Sequence, residues 1–180
     1  MRIISGTHRG KRLIAPKNLP VRPTTDMAKE GLFNILWHQY DLEEISVLDL
    51  FSGTGNISFE FASRGCLNIT AVDANTNCTR YISKIATQLE FPIQVLKADV
   101  YKFLERNSIA YDIIFADPPY DIATERLEAM VQLIFSRELL NKNGLLIVEH
   151  PPQQDLSNDK HFKQQRKYGS SVFSFFENIT

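Results

Sequence analysis

The sequence predicts an α/β fold with a mostly parallel sheet, covered by helices on both faces. From about residue 45 to residue 150, short β-rich apolar runs alternate with segments of helical periodicity. That alternation is typical of parallel βαβ units. The last 30 residues instead contain two β-rich runs, 160–168 and 171–178, joined at Gly169 without a helix. Because so short a connection forces antiparallel pairing, the sheet is predicted to end in an antiparallel hairpin.

The individual elements follow from the same patterns. Strands are predicted at 45–50, 68–73, 92–97, 111–116 and 144–150, and helices at 27–40, 55–64, 75–89, 99–107 and 122–135. Asp26 is a good N-cap for the first helix. Apolar residues crowd one side of that helix, so Trp37 is expected in the core.

Residues 1–25 differ from the rest of the chain. The runs RIIS and KRLI flank a turn bracketed by Gly6 and Gly10, which predicts a β-hairpin. Three prolines in 16–25 then indicate an extended linker. The segment has no acidic residue and six basic ones: Arg2, Arg9, Lys11, Arg12, Lys17 and Arg22. We therefore expect a basic arm (1–25) followed by one domain (26–180), although a charge run is often only a solvated surface.

Composition excludes several classes of protein. The net charge of −1 is the sum of two opposite parts. The arm carries +6, and the rest of the chain has 14 basic and 21 acidic residues, a net charge of −7. No apolar run approaches a membrane span and the N-terminus lacks a signal-peptide core, so no membrane association is expected. Cys66 and Cys78 form no Cys-x-x-Cys pair, which favours a reduced, cytoplasmic protein. The histidines show no ligand spacing, so no metal is predicted.

The first motif, DLFSGTG at 49–55, follows the first predicted strand. Its glycines allow a sharp turn and a close approach to a ligand at the carboxyl edge of the sheet. A plain glycine turn is the alternative. Ser58 stands where a dinucleotide-binding motif has its third glycine, which argues against a bound pyrophosphate.

Two further acids end or follow strands. Asp73 closes the second strand, where a carboxylate can accept hydrogen bonds from both hydroxyls of a ribose. The alternative is an ordinary Asp at a strand end. Asp99 follows the third strand and either accepts a bond from an adenine amino group or caps the next helix. Both roles are compatible.

The fourth motif is Asp117-Pro118-Pro119-Tyr120, directly after the fourth strand. The two prolines fix an extended turn and remove two N–H donors. The remaining groups are a carboxylate and free carbonyls, all hydrogen-bond acceptors, beside an aromatic ring. This set suits a planar group that carries an exocyclic NH₂, because the acceptors can bind the two amine hydrogens while the ring stacks on the plane. A merely stiffened loop is the alternative. The position at the sheet edge favours a functional site.

Together, VLDLFSGTG, VDAN, KADV and ADPPY resemble class I S-adenosylmethionine-dependent methyltransferases. The DPPY tetrad is similar to that of enzymes acting on exocyclic amines of bases. RIISGTHRGKRL, RPTTD and YGSSVFSFF extend the resemblance, over nearly the whole chain, to bacterial 16S ribosomal RNA guanine-N2 methyltransferases of the RsmD type. That family implies a Rossmann-like, seven-stranded sheet with an antiparallel last strand.

The resemblance also implies roles for individual residues. The cofactor S-adenosylmethionine, with S-adenosylhomocysteine as its product, would be bound by Asp49, Phe51, Ser52, Gly53, Gly55, Asp73, Asp99, Val100 and Asp117. The target guanine would be held by Asp117, Pro118, Pro119 and Tyr120. The six basic arm residues would contact 16S rRNA, either free or within an assembling 30S subunit. The enzyme would take part in rRNA processing. It would be a cytoplasmic monomer and would need no metal.

One departure and three alternatives accompany this interpretation. Relatives carry more basic residues after the RPT segment, where this chain has Met27, Ala28 and only Lys29. A DNA adenine-N6 methyltransferase would use the same tetrad, but the chain is short for one. A nicotinamide oxidoreductase fits the glycine pattern poorly. Intact acceptors at Asp117 argue against a non-catalytic RNA-binding module.

Overall fold

The computed structural model describes residues 1–179. Five helices lie at Asp26–Trp37 (α1), Asn56–Ser63 (α2), Thr76–Leu89 (α3), Val100–Arg106 (α4) and Thr124–Ser136 (α5). Seven strands lie at Ser46–Leu50 (β1), Asn68–Asp73 (β2), Ile93–Lys97 (β3), Tyr111–Ala116 (β4), Leu140–His150 (β5), Phe162–Tyr168 (β6) and Ser171–Glu177 (β7). The predicted elements are confirmed, with their ends shifted by a few residues.

The seven strands form a single sheet in the order β3-β2-β1-β4-β5-β7-β6. The pairings among β1 to β5 are parallel, whereas β7 pairs antiparallel with β5 and with β6. The predicted Rossmann-like sheet with an antiparallel end is therefore confirmed. The carboxyl ends of β1 to β5 lie along one edge, which we call the site edge.

Buried side chains form two layers, one on each face of the sheet. Val47, Ile113 and Phe115 pack with α1, α2 and α3, while alternate residues such as Leu48 and Ile114 pack with α4 and α5. This alternation is what a strand period of two produces when both faces are covered.

Helix α1 departs from the prediction at both ends. Thr25, not Asp26, is its N-cap, and the Thr25 Oγ1 accepts the N–H of Ala28. Trp37 is 64% exposed, so its prediction as a core residue is wrong. The buried stripe of the helix ends at Leu36, and Trp37 is the last helical residue, beyond that stripe.

The N-terminal arm makes a hairpin-like turn where its sequence predicts a β-hairpin, although residues 1–25 form no strand. A single antiparallel bridge joins Arg2 and Arg12, and Ile3 donates its N–H to the Lys11 carbonyl. Gly6 has φ +85°, and a Cβ there would lie 1.7 Å from the Ser63 carbonyl oxygen, so only glycine fits. The division of the chain at residue 25 stays a prediction.

The tip of the arm lies at the sheet edge opposite to the site edge. His8 donates its N–H to Ser63 Oγ at the end of α2, and its ring packs edge-on against Phe91 before β3. Helix α2 begins at the site edge and runs away from it. The arm tip is therefore roughly one strand length, about 17 Å, from the site edge.

A buried ion pair fastens the arm to the domain. The Lys29 and Glu60 side chains are fully buried, with Nζ 3.2 Å from Oε2. Lys29 Nζ also donates to the Arg2 carbonyl, and the Glu60 carboxylate accepts the N–H groups of Ile4 and Ser5. Lys29 thus belongs to the interior and adds nothing to the basic surface after the RPT segment.

Within residues 1–179, no helix has both the length and the apolar character needed to cross a membrane.

Candidate active site

A cavity of about 540 Å³ opens at the site edge. Its walls come from all four predicted motifs and from the extended segment 20–25. The carboxyl ends of parallel strands meet at this edge, so motifs far apart in the sequence share one cavity. The predicted cofactor and base-binding residues around it are Asp49, Phe51, Ser52, Gly53, Asp73, Asp99, Val100, Asp117, Pro118, Pro119 and Tyr120.

The loop after β1 turns in the left-handed backbone region three times. Phe51 has φ 56°, Gly53 54° and Gly55 78°. Phe51 is not a glycine, so its conformation stores strain of the kind found at ligand sites. Ser52 lines the cavity, and its buried Oγ has no hydrogen-bond partner among the described residues. A buried hydroxyl without a partner is costly, which points to a ligand that supplies one.

Asp73 holds this loop in place. Its Oδ2 accepts the N–H of Gly53 at 2.9 Å, and its Oδ1 accepts the N–H of Asn75 at 2.8 Å. A carboxylate has about four acceptor positions, so Asp73 can still accept two hydroxyls. The ribose contact of Asp73 stays a prediction.

Asp99 caps helix α4. Its Oδ1 accepts the N–H of Lys102 at 3.0 Å, as the capping interpretation predicts. The neighbouring Val100 is buried and gives the cavity an apolar wall. The adenine contact of Asp99 stays a prediction.

Asp49 is a buried acid at the floor of the cavity. Its Oδ2 accepts the Ser58 hydroxyl at 2.6 Å, and only 2% of the residue is exposed. Burial raises the pKa of Asp49 to about 7, although the bond from Ser58 opposes this. A cation in the cavity would lower this pKa and favour the carboxylate form.

The Asp117–Tyr120 loop follows β4 and is tied back to β1, since Asp117 donates its N–H to the Leu50 carbonyl at 3.3 Å. Pro118 is buried, whereas Tyr120 is 59% exposed. Burial, followed by the nearby carboxylates Glu149 and Asp49, raises the pKa of Asp117 well above its usual value. The loop thus combines a carboxyl group of raised basicity with an accessible aromatic ring.

Glu149 is a third acid of the cavity that the sequence analysis did not select. It lies near the end of β5, and its Oε2 accepts the Thr24 hydroxyl at 2.6 Å. Burial raises the pKa of Glu149, while hydrogen bonds from Thr24 and Ser171 lower it. The available signal was an acid at the end of a predicted strand, the pattern that selected Asp73.

His150 follows Glu149 but is held by protein groups. Its Nε2 lies 2.7 Å from Ser174 Oγ, and its Nδ1 lies 3.0 Å from the Pro151 carbonyl oxygen. Burial lowers the pKa of His150. The ring therefore lines one wall of the cavity as a neutral group.

A chain of buried hydrogen bonds connects the arm to the cavity. Lys29 Nζ donates to Asn56 Oδ1 at 2.8 Å, and Asn56 Nδ2 donates to the Thr24 carbonyl at 3.0 Å. Thr24 in turn donates to Glu149. Asn56 and Thr24 were not predicted as site residues, because only the folded chain brings them together.

The six basic arm residues are all exposed but lie at different distances from the cavity. Arg22 is at its rim and donates to Ser170 Oγ. Arg2 pairs with Asp26 beside the start of α1, and Arg9 lies at the arm tip. Their RNA contacts stay a prediction.

Comparison with known proteins identifies the family of this chain. The family described as "Conserved hypothetical protein 95" matches residues 1–177. The chain belongs to this family. Ribosomal RNA small subunit methyltransferase D of Buchnera aphidicola is 29% identical over 99% of this chain and 92% of its own length. The resemblance to the RsmD type is thereby confirmed.

Solved structures share the fold of this family member. A Thermus thermophilus protein described as hypothetical superposes with a TM-score of 0.86 at 24% identity, covering 99% of both chains. A Thermus thermophilus 16S rRNA N2 G1207 methyltransferase, solved with AdoMet and guanosine, superposes with a TM-score of 0.71 at 21% identity. This second match covers 89% of this chain and 45% of the other.

Among residues 1–179, no group of three or more His, Cys, Asp or Glu side chains is placed to hold a metal ion. Cys66 and Cys78 are both buried and unbonded to each other, and burial raises the pKa of each thiol to about 11. Neither thiol is therefore suited to act as a nucleophile.

Proposed function

We propose that this protein transfers a methyl group from S-adenosylmethionine to the exocyclic N2 amine of one guanine in 16S ribosomal RNA. The observation that carries the proposal is the Asp117–Tyr120 loop, which borders the same cavity as the loop 49–55. Membership of a family with a relative named as a small-subunit rRNA methyltransferase supports the choice of RNA over DNA.

The residues of the cavity fit this cofactor. The Ser52 hydroxyl needs a polar partner, Asp73 offers acceptors for hydroxyls, and the buried carboxyl of Asp49 favours a cation. When bound, S-adenosylmethionine supplies a methyl group already activated by its sulfonium sulfur. The reaction therefore requires no metal from the protein.

The protein's main task is to position a poor nucleophile. The lone pair of the guanine N2 is delocalised into the ring. Hydrogen bonds from its two N–H groups to the Asp117 carboxylate and the Pro118 carbonyl would draw the nitrogen towards tetrahedral geometry. They would also stabilise the positive charge that develops as the nitrogen bonds the methyl carbon and the S–C bond breaks.

Asp117 also offers a destination for the proton. The methylated nitrogen is a strong acid and must lose one hydrogen. With its raised pKa, Asp117 is a better acceptor for that proton than an exposed aspartate. Tyr120, exposed at the rim, would stack on the base once it leaves its own helix or loop.

The arm supplies the phosphate contacts in this proposal. Arg22 lies at the cavity rim, Arg2 beside α1 and Arg9 at the far edge of the sheet. The basic residues therefore extend over roughly one strand length, about 17 Å, which corresponds to several nucleotides of backbone. Such contacts set affinity and position but not the choice of base.

Mass spectrometry of 16S rRNA from a strain lacking this gene tests the proposal. We expect one N2-methylguanine to be absent and to return when the purified protein and S-adenosylmethionine are added to the RNA or to small subunits. DNA fragments serve as the parallel substrate and should remain unmethylated. Unchanged 16S rRNA, or methyladenine formed in the DNA, would overturn the proposal.

The phosphate contacts have a separate test. Deleting the arm would expose the buried Lys29–Glu60 pair, so we favour the triple substitution Arg9→Gln, Lys11→Gln and Arg12→Gln at exposed positions. The slope of log affinity for RNA against log salt should fall by about 2, since each lost phosphate contact on single-stranded RNA removes about 0.7. Glutamine at the exposed Lys84, Lys142 and Lys160 is the matched control. Equal slopes for the two triple variants would contradict a role of the arm.

A further inference from the structure

Three carboxyl groups lie in a row on neighbouring strands. Asp49 is on β1, Asp117 directly follows β4, and Glu149 is on β5. The strand order β1-β4-β5 makes Asp117 the middle one. Because Ala116 pairs with Val148, Asp117 and Glu149 occupy the next register position on adjacent strands, about 4.8 Å apart at the backbone. Register partners of this kind project to the same face of the sheet.

This inference rests on the proposed function, which places the cofactor on one side of Asp117 and the base on the other. The cofactor loop and Asp73 belong to β1 and β2, on one side of Asp117. An amine held at Asp117 and facing the methyl donor must point towards β1. The ring that carries the amine then extends towards β5, where Glu149 lines the cavity.

Glu149 is built as a fixed acceptor. The residue is 7% exposed, and the Thr24 hydroxyl holds its Oε2 at 2.6 Å. Thr24 is itself 7% exposed, and its carbonyl is fixed by Asn56. The Thr24 and Ser171 hydroxyls take two of the roughly four acceptor positions of this carboxylate, so it can still accept one more donor from the cavity.

We propose that Glu149 determines the choice of base by accepting the N1–H of guanine while Asp117 holds the neighbouring N2 amine. Guanine presents two adjacent donors on this edge, the N1–H and the amine. Adenine presents an amine beside an unprotonated N1, which would face the Glu149 carboxylate with a lone pair. A site that binds a donor rejects an analogue that lacks it, because a buried acceptor is left without a partner.

The test replaces the target guanine by 2-aminopurine, which has the same amine but an N1 without hydrogen. Both bases are placed at the mapped position of the small-subunit RNA by splinted ligation, and kcat/KM is measured for each. We expect the wild-type protein to favour guanine by about 10- to 100-fold, the usual value of a base-edge contact. In Glu149→Gln the preference for guanine over 2-aminopurine should fall below a few-fold or reverse. The glutamine amide can turn its NH₂ towards the unprotonated N1 of 2-aminopurine and donate a hydrogen bond to it.

Two controls separate this role from a purely structural one. Glu177→Gln changes a half-exposed glutamate at the end of β7, which pairs with Lys163 on the surface, and should leave the preference intact. Binding of S-adenosylhomocysteine to Glu149→Gln, measured by calorimetry, should stay within about twofold of wild type if the cavity is intact. An equal loss on both bases, or an unchanged preference, in Glu149→Gln would overturn the inference while leaving the proposed function standing. Failure of the wild-type protein to methylate the guanine RNA would overturn both.

Discussion

Asp117→Ala should lower the rate of methyl transfer by about 10²- to 10³-fold, the usual effect of removing one charge-stabilising group from a transition state. The variant loses the carboxylate that faces the developing positive charge on N2. Its fold should not suffer, because the removed group is a half-buried acid near Asp49 and Glu149 whose pKa is raised by that environment. Single-turnover methylation of 16S rRNA measures the rate, and calorimetry with S-adenosylhomocysteine measures cofactor binding.

Asp117→Asn separates the charge of this group from its shape. The amide oxygen still accepts one N–H, so we expect a smaller loss than in Asp117→Ala. In the wild type the rate should fall as the pH decreases, because protonation removes an acceptor oxygen, and this fall should begin well above pH 4, where an ordinary aspartate titrates. The asparagine variant should lack that component of the profile. Near-normal turnover of Asp117→Ala would refute the assignment of this loop.

Local patterns were sufficient for most of the fold. Each strand from β1 to β5 is a β-rich run, and the loop motifs directly follow four of them, so the site edge could be predicted without tertiary information. Asp49, Asp73 and Asp117, which line the cavity, were predicted in this way. The antiparallel end of the sheet followed from the short connection at Gly169.

The sequence did not predict the roles of side chains that depend on a partner far away in the chain. Lys29 was noted only as the single basic residue after the RPT segment. Its partner Glu60 lies 31 positions further along the chain, and nothing in either local sequence marks them as a buried pair. Glu149 was missed because its significance comes from its register beside Asp117 and from the hydroxyl of Thr24. Trp37 was placed in the core because helical periodicity alone does not show where a buried stripe ends.

These distant partners form one continuous structure. The Arg2 carbonyl, Lys29, Asn56, Thr24 and Glu149 are joined in series by hydrogen bonds of 2.6–3.0 Å. The segment that carries the proposed RNA contacts is thus rigidly connected to the proposed base-reading acid. A phosphate contact at the arm would therefore position the backbone relative to the cavity, rather than tether the RNA loosely.

Lys29→Met should lower the free energy of unfolding by about 2–3 kcal/mol. It removes one of the two cations that pair with the buried Glu60 carboxylate, while Arg64 stays 2.9 Å from Glu60 Oε1. It also leaves the Arg2 carbonyl and Asn56 Oδ1 without the Lys29 donor. Burial lowers the pKa of Lys29, whereas the neighbouring Glu60 and Asp26 carboxylates raise it, so the charge of Lys29 depends on those contacts. The methionine fills a similar volume, so the loss reflects the missing charge and hydrogen bonds rather than a cavity. Urea unfolding at neutral pH measures it.

Arg2→Met is the matched control for this prediction. It breaks the ion pair between Arg2 and Asp26, whose side chains are 50% and 44% exposed, and should cost less than about 1 kcal/mol. The two variants remove one positive charge each, from the same end of the molecule. If Lys29 acts as the junction between arm and cavity, only Lys29→Met should also speed the exchange of the Ile4 and Ser5 amide hydrogens, which bond to Glu60. Equal stability of the two variants would show that the junction is held by the packing of Ile3 and Leu13 alone.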